Sequence, residues 1–393
     1  MARQRARALA LNTSASFTPR QTIAVLIVGI IGVLIPGLQP QLLGALLAEA
    51  KLSAGALGLL ATAELLAMGI AAGTASILMP ADRLRMVAAS ALIVAAILDF
   101  TTPFALDGWL FVARMVAGFA EGILIWIAIG LIVRVARPER WSGIYLALQT
   151  LAQLALATAL ALFVIPMFGS AGGFTVLALV TALGLFALPW LPNAYAHLSH
   201  DETAGSALPW RGLVALSGVA LYLAFIVSVW VYAEPLALQR GIDAETVRLI
   251  APLSLAMQVA GAAVAATLAG RVSARLVVSS VAIANLTLLA IMAAPPSAAA
   301  FVAATSIFGF LWLFSMPFQV PILIAADPSR RAAMLIGGAQ LVGSSVGPFI
   351  AAFLVSDSNV GPVLWFGAAC AVSGLLALLG AGISQAKMRN EPA

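Results

Sequence analysis

The chain has 393 residues, of which 63% are hydrophobic and 9% charged, with a formal net charge of +5. A soluble domain carries about 25% charged residues, so lipid must replace water around most of this surface. No dense basic run marks a nucleic-acid binder, and the single cysteine, Cys370, excludes an internal disulfide framework.

Residues 1–20 are basic but lack a short apolar core ending in a cleavage site, so the next run reads as a first membrane helix and not a removed signal. A spanning helix needs about 20 mostly apolar residues. Such runs follow at 21–47, 55–79, 86–104, 109–135, 141–167, 173–192, 211–237, 247–269, 276–294, 298–325, 332–355 and 361–383. None alternates polar with apolar residues as a barrel strand does. The predicted fold class is an all-α polytopic membrane protein with twelve transmembrane helices in two pseudo-symmetric six-helix bundles, 21–192 and 211–383. The polar stretch 193–210 carries Pro, Ser and Gly and reads as a linker between them. It holds both histidines, His197 and His200, read as solvated linker residues; no metal site is expected. Residues 384–393 form a tail.

Lysine and arginine set the orientation. With both termini in the cytoplasm, sixteen of the twenty fall inside, among them Arg83, Arg85, Arg134, Arg271 and Arg275. Lys51, Arg240 and Arg248 fall outside, and Arg114 lies within a span. The halves also echo each other. "RMVAAS" at 85–90 matches "RLVVSS" at 275–280, and Pro138 and Arg140 match Pro328 and Arg330, both at an offset of 190 (275 − 85 and 328 − 138). A duplicated six-helix unit with its axis along the membrane normal follows as an expectation.

Two local motifs join this architecture. The loop "LMPADRLRMV" after the second span carries Asp82, Arg83 and Arg85, with Leu78 at the position of a first glycine. The fourth span carries "RMVAGFAEG", an arginine followed by glycines at helical spacing: Arg114, Gly118 and Gly122. Together with six plus six spans and a polar central loop, they resemble the major facilitator superfamily. The resemblance implies a secondary transporter without cofactor, a cytoplasmic gate at Asp82, Arg83 and Arg85, and a role in proton transfer for Arg114. The fifth span lacks the glycine- and proline-rich element of drug/proton antiporters, and "GSSVGP" lies instead at 343–348. Transport direction therefore stays open.

A charge at the bilayer centre costs about 2.5–3.5 kcal/mol, so each one retained in a span asks for a reason. The candidates are Glu64, Asp99, Arg114, Glu121 and Glu234. Glu121 is seven residues from Arg114 on one helical face, roughly 10 Å along the axis. It reads either as a carboxylate that gains and loses a proton, tuned by Arg114, or as half of a structural ion pair. Glu64 and Asp99 are candidates for the same cluster, as an outer lock or a proton-entry path. Gln149 and Gln153 share a face of the fifth span with Tyr145 and are candidates for substrate contact. Tyr222, Trp230 and Glu234 share a face of the seventh span, where an interfacial aromatic belt explains Trp230 equally well. Phe310, Phe314 and Phe318 form an aromatic stripe, read as packing or as a substrate wall at Phe314. "PGLQPQ" at 36–41 predicts a kink that lets Gln39 or Gln41 face a cavity.

These acids outnumber the bases, which disfavours a multiply charged anion as cargo. No phosphate-cradling loop or catalytic constellation is present, so no enzyme and no cofactor are expected. The reading is a monomeric, multi-pass transporter of the bacterial inner membrane. It moves a small organic, amphipathic solute by alternating access, coupled to protons, with export preferred. Proton-coupled uptake of a small nutrient is the alternative within the class. A non-transporting receptor or assembly partner is the alternative outside it.

Overall fold

The computed structural model describes residues 17–79, 82–105, 107–132, 134–135, 138–195, 208–294, 297–327 and 331–388. His197, His200, most of the linker, Pro328, Arg330, most of residues 1–20 and half of residues 384–393 lie outside the described residues. The helices of the first half are α1 (Pro19–Ile31), α2 (Leu34–Ala48), α3 (Ala54–Leu78), α4 (Leu84–Thr101), α5 (Asp107–Ile132), α6 (Pro138–Ala159) and α7 (Ile165–Leu183). Those of the second are α8 (Trp210–Val231), α9 (Ala233–Gln239), α10 (Ala244–Val247), α11 (Ile250–Leu268), α12 (Ala274–Ala293), α13 (Ala298–Ala326), α14 (Arg331–Met334), α15 (Ile336–Leu354) and α16 (Pro362–Met388).

Eleven stretches of the described residues are helical, long and apolar enough to cross a membrane, and one of them, Trp141–Trp190, runs for 50 residues. Inside that stretch Gly169 has φ 59 and ψ −152, which breaks the helix and separates the fifth span from the sixth. Only glycine tolerates this backbone at low cost, and a Cβ there would also collide with the Glu49 carboxylate. The apolar exterior agrees with a lipid surround: Phe186 is 74% exposed, Trp365 76% and Phe353 69%.

The first span of each half is broken, and proline explains both breaks. α1 ends before Gly32 and α2 begins at Leu34, with Pro36 as its third residue. α8 ends at Val231 and α9 begins at Ala233, with Pro235 as its third residue. Proline has no N–H to continue a ladder, yet fits the first turn of a new helix, where that donor is unpaired anyway. The predicted kink at 36–41 therefore falls a few residues earlier. Helix bounds also recur. α3 runs from 54 to 78, and α10 with α11 run from 244 to 268, a shift of 190 at both ends (244 − 54 and 268 − 78). α4 and α12 start at 84 and 274, again 190 apart (274 − 84).

The chain divides into two compact units that do not follow the halves of the sequence. Unit 1 comprises residues 1–36, 67–152 and 174–204; unit 2 comprises 37–66, 153–173 and 205–393. In unit 1, α5 packs on α1 and α4 around Val25, Val28, Leu92 and Leu124, all 0% exposed. In unit 2, α8 lies against α15 and α16, and α11 against α13. Close approach between α8 and α15 depends on "GSSVGP". A Cβ at Gly347 would sit 2.7 Å from the Ala224 Cα, and one at Gly343 2.8 Å from the Ala220 carbonyl carbon. Small residues let helix backbones approach in a setting where apolar burial gives little drive.

Candidate functional site

In unit 1 three ionisable side chains meet in the apolar interior. Asp99 is in the last turn of α4, and Arg114 and Glu121 are two turns apart on α5. Arg114 and Asp99 are 0% exposed and Glu121 4%. The Arg114 Nη1 donates to the Asp99 Oδ1 at 2.7 Å and to the Thr102 Oγ1 at 3.3 Å. Its Nη2 lies 3.6 Å from the Glu121 Oε1. The long guanidinium stem closes the 10 Å of helix that separates the two residues. Thr181 Oγ1 donates to the Asp99 Oδ2 at 3.3 Å, and the Phe174 ring lies 5.5 Å from the Arg114 Cζ. A cation over an aromatic face gains further attraction when desolvated. With all three ionised the cluster carries −1, so one proton brings it to neutrality. The contact of Arg114 with Glu121, 3.6 Å, is longer than its charge-assisted bond to Asp99, 2.7 Å.

The loop Asp82, Arg83 and Arg85 ties the start of α4 to the end of the sixth span. Leu84 N donates to the Asn193 carbonyl at 2.8 Å, Asn193 Nδ2 to the Asp82 carbonyl at 3.2 Å, and Arg85 Nε to the Leu191 carbonyl at 2.7 Å. Arg83 is exposed at the N-cap. Tyr195 lies nearby in sequence. Its hydroxyl donates to the Ile127 carbonyl at 2.7 Å, and the Arg134 guanidinium lies over its ring at 4.8 Å.

In unit 2 the helix α2 gathers several of the other candidates. Gln39 is 0% exposed and its Nε2 donates to the Glu64 Oε2 of α3 at 3.2 Å. Gln41 Nε2 donates to the Ala157 carbonyl of α6 at 3.1 Å. Gly37 faces Gln153, whose Cγ would be 2.8 Å from an added Cβ, and Gly44 faces Glu234, whose Oε2 would be 3.0 Å away. Glu234 is 8% exposed in the first turn of α9, where the helix dipole favours an anion. One end of this unit is tied by three hydrogen bonds. Tyr232 Oη donates to the Ala54 carbonyl at 2.9 Å, Thr62 Oγ1 to the Ser345 carbonyl at 3.1 Å, and Ala54 N to the Asp357 Oδ1 at 2.6 Å.

Trp230 is 1% exposed and meets Trp312 edge-on at 6.0 Å. It therefore does not belong to a surface belt. Phe314 stacks on Phe310 and tilts against Phe318, both at 5.5 Å. Tyr222 is 8% exposed; its Oη accepts from Ser315 at 2.6 Å and donates to the Leu311 carbonyl at 3.2 Å. Gln149 belongs to unit 1 and is half-buried, while Tyr145 on the same face donates to the Gly29 carbonyl at 2.8 Å.

The structure thus joins Asp99, Arg114 and Glu121, and joins Gln39 to Glu64. Sequence reasoning missed Thr102, Thr181 and Phe174, whose types are unremarkable in an apolar run. It also passed over Gln258, Asn285 and Gln319, which are 4%, 0% and 1% exposed. An amide inside a span was the available signal for these three.

No protein-family model and no curated protein sequence matches the chain. Solved structures do. A mutant of the nucleoside transporter NupG aligns with a TM-score of 0.70 at 12% identity, covering 92% of this chain and 99% of the other. A D-xylose-proton symporter aligns at 0.68 and 14% identity, over 93% and 97%. A bacterial homologue of the human lysosomal transporter Spinster, in an inward-facing and unoccupied conformation, aligns at 0.60 and 14% identity, over 96% and 100%. The chain therefore shares the polytopic all-α fold of these three transporters.

Proposed function

We propose that the chain is a secondary transporter that moves a small organic solute by alternating access, with proton transfer at Glu121 as the coupled step. The observation that carries this reading is the buried guanidinium of Arg114 between two carboxylates, at 2.7 Å from Asp99 and 3.6 Å from Glu121. A buried net charge in lipid is costlier than a neutral cluster, so uptake or loss of one proton changes the stability of whichever arrangement buries it. Arg114 fixes Asp99 and leaves Glu121 as the exchanging group. The aromatic pairs Trp230–Trp312 and Phe310–Phe314 offer apolar contact to an amphipathic solute, with Gln39, Gln149, Gln153, Tyr222 and Glu234 as the polar candidates. Export is the first reading for such cargo. Inward symport is the second, favoured by likeness to a D-xylose-proton symporter. The protein acts as a monomer in the bacterial inner membrane with both termini in the cytoplasm, and Asp82, Arg83 and Arg85 form the cytoplasmic gate loop.

The test is solute flux into proteoliposomes under imposed proton gradients of either sign, with solutes first chosen by thermal-shift screening. Gradient-dependent flux that becomes gradient-independent in Glu121→Gln supports the reading, and the sign that drives uptake fixes the direction. Equal flux with and without a gradient, unchanged in Glu121→Gln, removes Glu121 from coupling. Absence of flux for every solute that binds favours the receptor.

A further inference from the structure

Within unit 2, helices α8, α12, α13 and α16 enclose a cavity of about 10 Å³ lined by Tyr222, Phe225, Asn285, Ser315, Gln319 and Leu378, among others. Tyr222 and Ser315 satisfy each other and the Leu311 carbonyl. Asn285 does not share in this: it is 0% exposed, and neither its Oδ1 nor its Nδ2 has a partner. Gln319, 1% exposed, has an unpartnered Oε1. A buried polar group left without a hydrogen bond costs about 1–3 kcal/mol. Two such groups on one chamber in an apolar protein require something in the chamber to answer them.

Size and polarity select the guest. A buried water needs roughly 10–15 Å³ measured this way and two to four polar partners, which this chamber matches. The guest must donate to the Asn285 and Gln319 carbonyl oxygens and accept from the Asn285 amide hydrogens. Water does both. A bare cation would suit the oxygens but would face the amide hydrogens, and any carbon-bearing solute is too large.

We propose that this cavity is a binding site for a single water molecule, held by Asn285 and Gln319, that joins α12 to the proline-flanked segment of α13. Gln319 lies between Pro317 and Pro321 of α13. Each proline removes a ladder donor and leaves the carbonyl four residues earlier without its helical partner, and ordered water near such carbonyls is one way membrane helices tolerate the break. A joint made through water re-forms at a new angle more readily than a direct bond between side chains. The site therefore lets α13 bend while staying attached to α12.

The test is radiolytic hydroxyl-radical labelling of the full-length protein in lipid nanodiscs, in ¹⁸O water, read at Tyr222 and Phe225. Both are shielded from bulk solvent, so labelling there reports an internal water. Labelling is expected in the wild type, is expected to persist in Asn285→Ala, which enlarges the chamber, and is expected to be lost in Asn285→Leu with Gln319→Leu. Absence of labelling in the wild type overturns the proposal, as does undiminished labelling in the double variant. A thermal midpoint that rises with sodium chloride but not with choline chloride, and not in the double variant, overturns water in favour of a sodium ion.

Discussion

Unit 1 and unit 2 each bury a polar centre, and they satisfy it differently. In unit 1 a guanidinium supplies fixed donors to two carboxylates, and the cluster sums to −1 when all three groups are ionised. In unit 2 the buried amides of Asn285 and Gln319 line one cavity, are neutral, and each keeps at least one atom without a partner. The charged centre is held by its own side chains, and one proton changes its net charge from −1 to zero. The neutral centre is open to a small guest and carries no charge to respond with. On the proposed reading, this contrast assigns energy coupling to the first centre and mechanical compliance to the second.

Breaking the charged centre gives the largest expected effect. Arg114→Leu leaves Asp99 and Glu121 as two buried carboxylates facing each other and should cost about 3–5 kcal/mol, read as a lower thermal midpoint in nanodiscs. Replacing all three residues with leucine should restore most of that loss, because the penalty comes from stranded charge. Asp99→Asn brings the cluster to neutrality and so makes it resemble the neutral amide pair of unit 2. It should cost about 1.5–3 kcal/mol, the worth of a hydrogen bond to a charged group, while flux keeps its proton dependence if Glu121 is the exchanging residue. On the neutral side, Tyr222→Phe removes the bonds to Ser315 and the Leu311 carbonyl and should cost about 1 kcal/mol without changing proton dependence. A shift in proton dependence there would erase the contrast between the centres.

The smallest effects lie at the loop after α2, outside both centres. Ala50 has φ 55, a left-handed conformation that costs a residue with a Cβ about 1–2 kcal/mol. Ala50→Gly should raise the thermal midpoint, the gain reduced by glycine's greater freedom when unfolded. Nearby, burial would lift the Glu49 carboxyl, but hydrogen bonds from Lys51 and Ser170 and the Lys51 charge outweigh it and hold it below its ordinary 4.5. A lowered folded value means stability present above about pH 4.5 and lost as pH falls through the lowered value. The wild type should lose this contribution on acidification, and the difference from Glu49→Gln should shrink over the same window.

Much of this was legible in the residues because lipid leaves so few choices. Charge scarcity and run length gave the twelve spans, and the paired echo at an offset of 190 anticipated the recurrence of α3 and α4 at α10–α12. Asp99, Arg114 and Glu121 stood out because ionised groups in a span are costly. The partner of Glu64 was not legible. Gln39 lies on a different helix, and spacing along one chain says nothing about which side chains meet across two. The break at Gly169 falls within 168–172, the gap left between the runs 141–167 and 173–192, although its backbone geometry could not be read from an apolar stretch. Asn285 offered only the weak signal of a lone amide inside a span, and its importance comes from the cavity that three other helices complete.

Three hydrogen bonds from Tyr232, Thr62 and the Ala54 amide fasten one end of unit 2, and none of them is a salt bridge. At about 1 kcal/mol net apiece, the fastening amounts to some 3 kcal/mol, an equilibrium ratio on the order of a hundred to one. On the proposed alternating-access reading, an arrangement with these three bonds open would be a minority on the order of one per cent. A solute that prefers it by only two orders of magnitude in affinity would bring the two arrangements level.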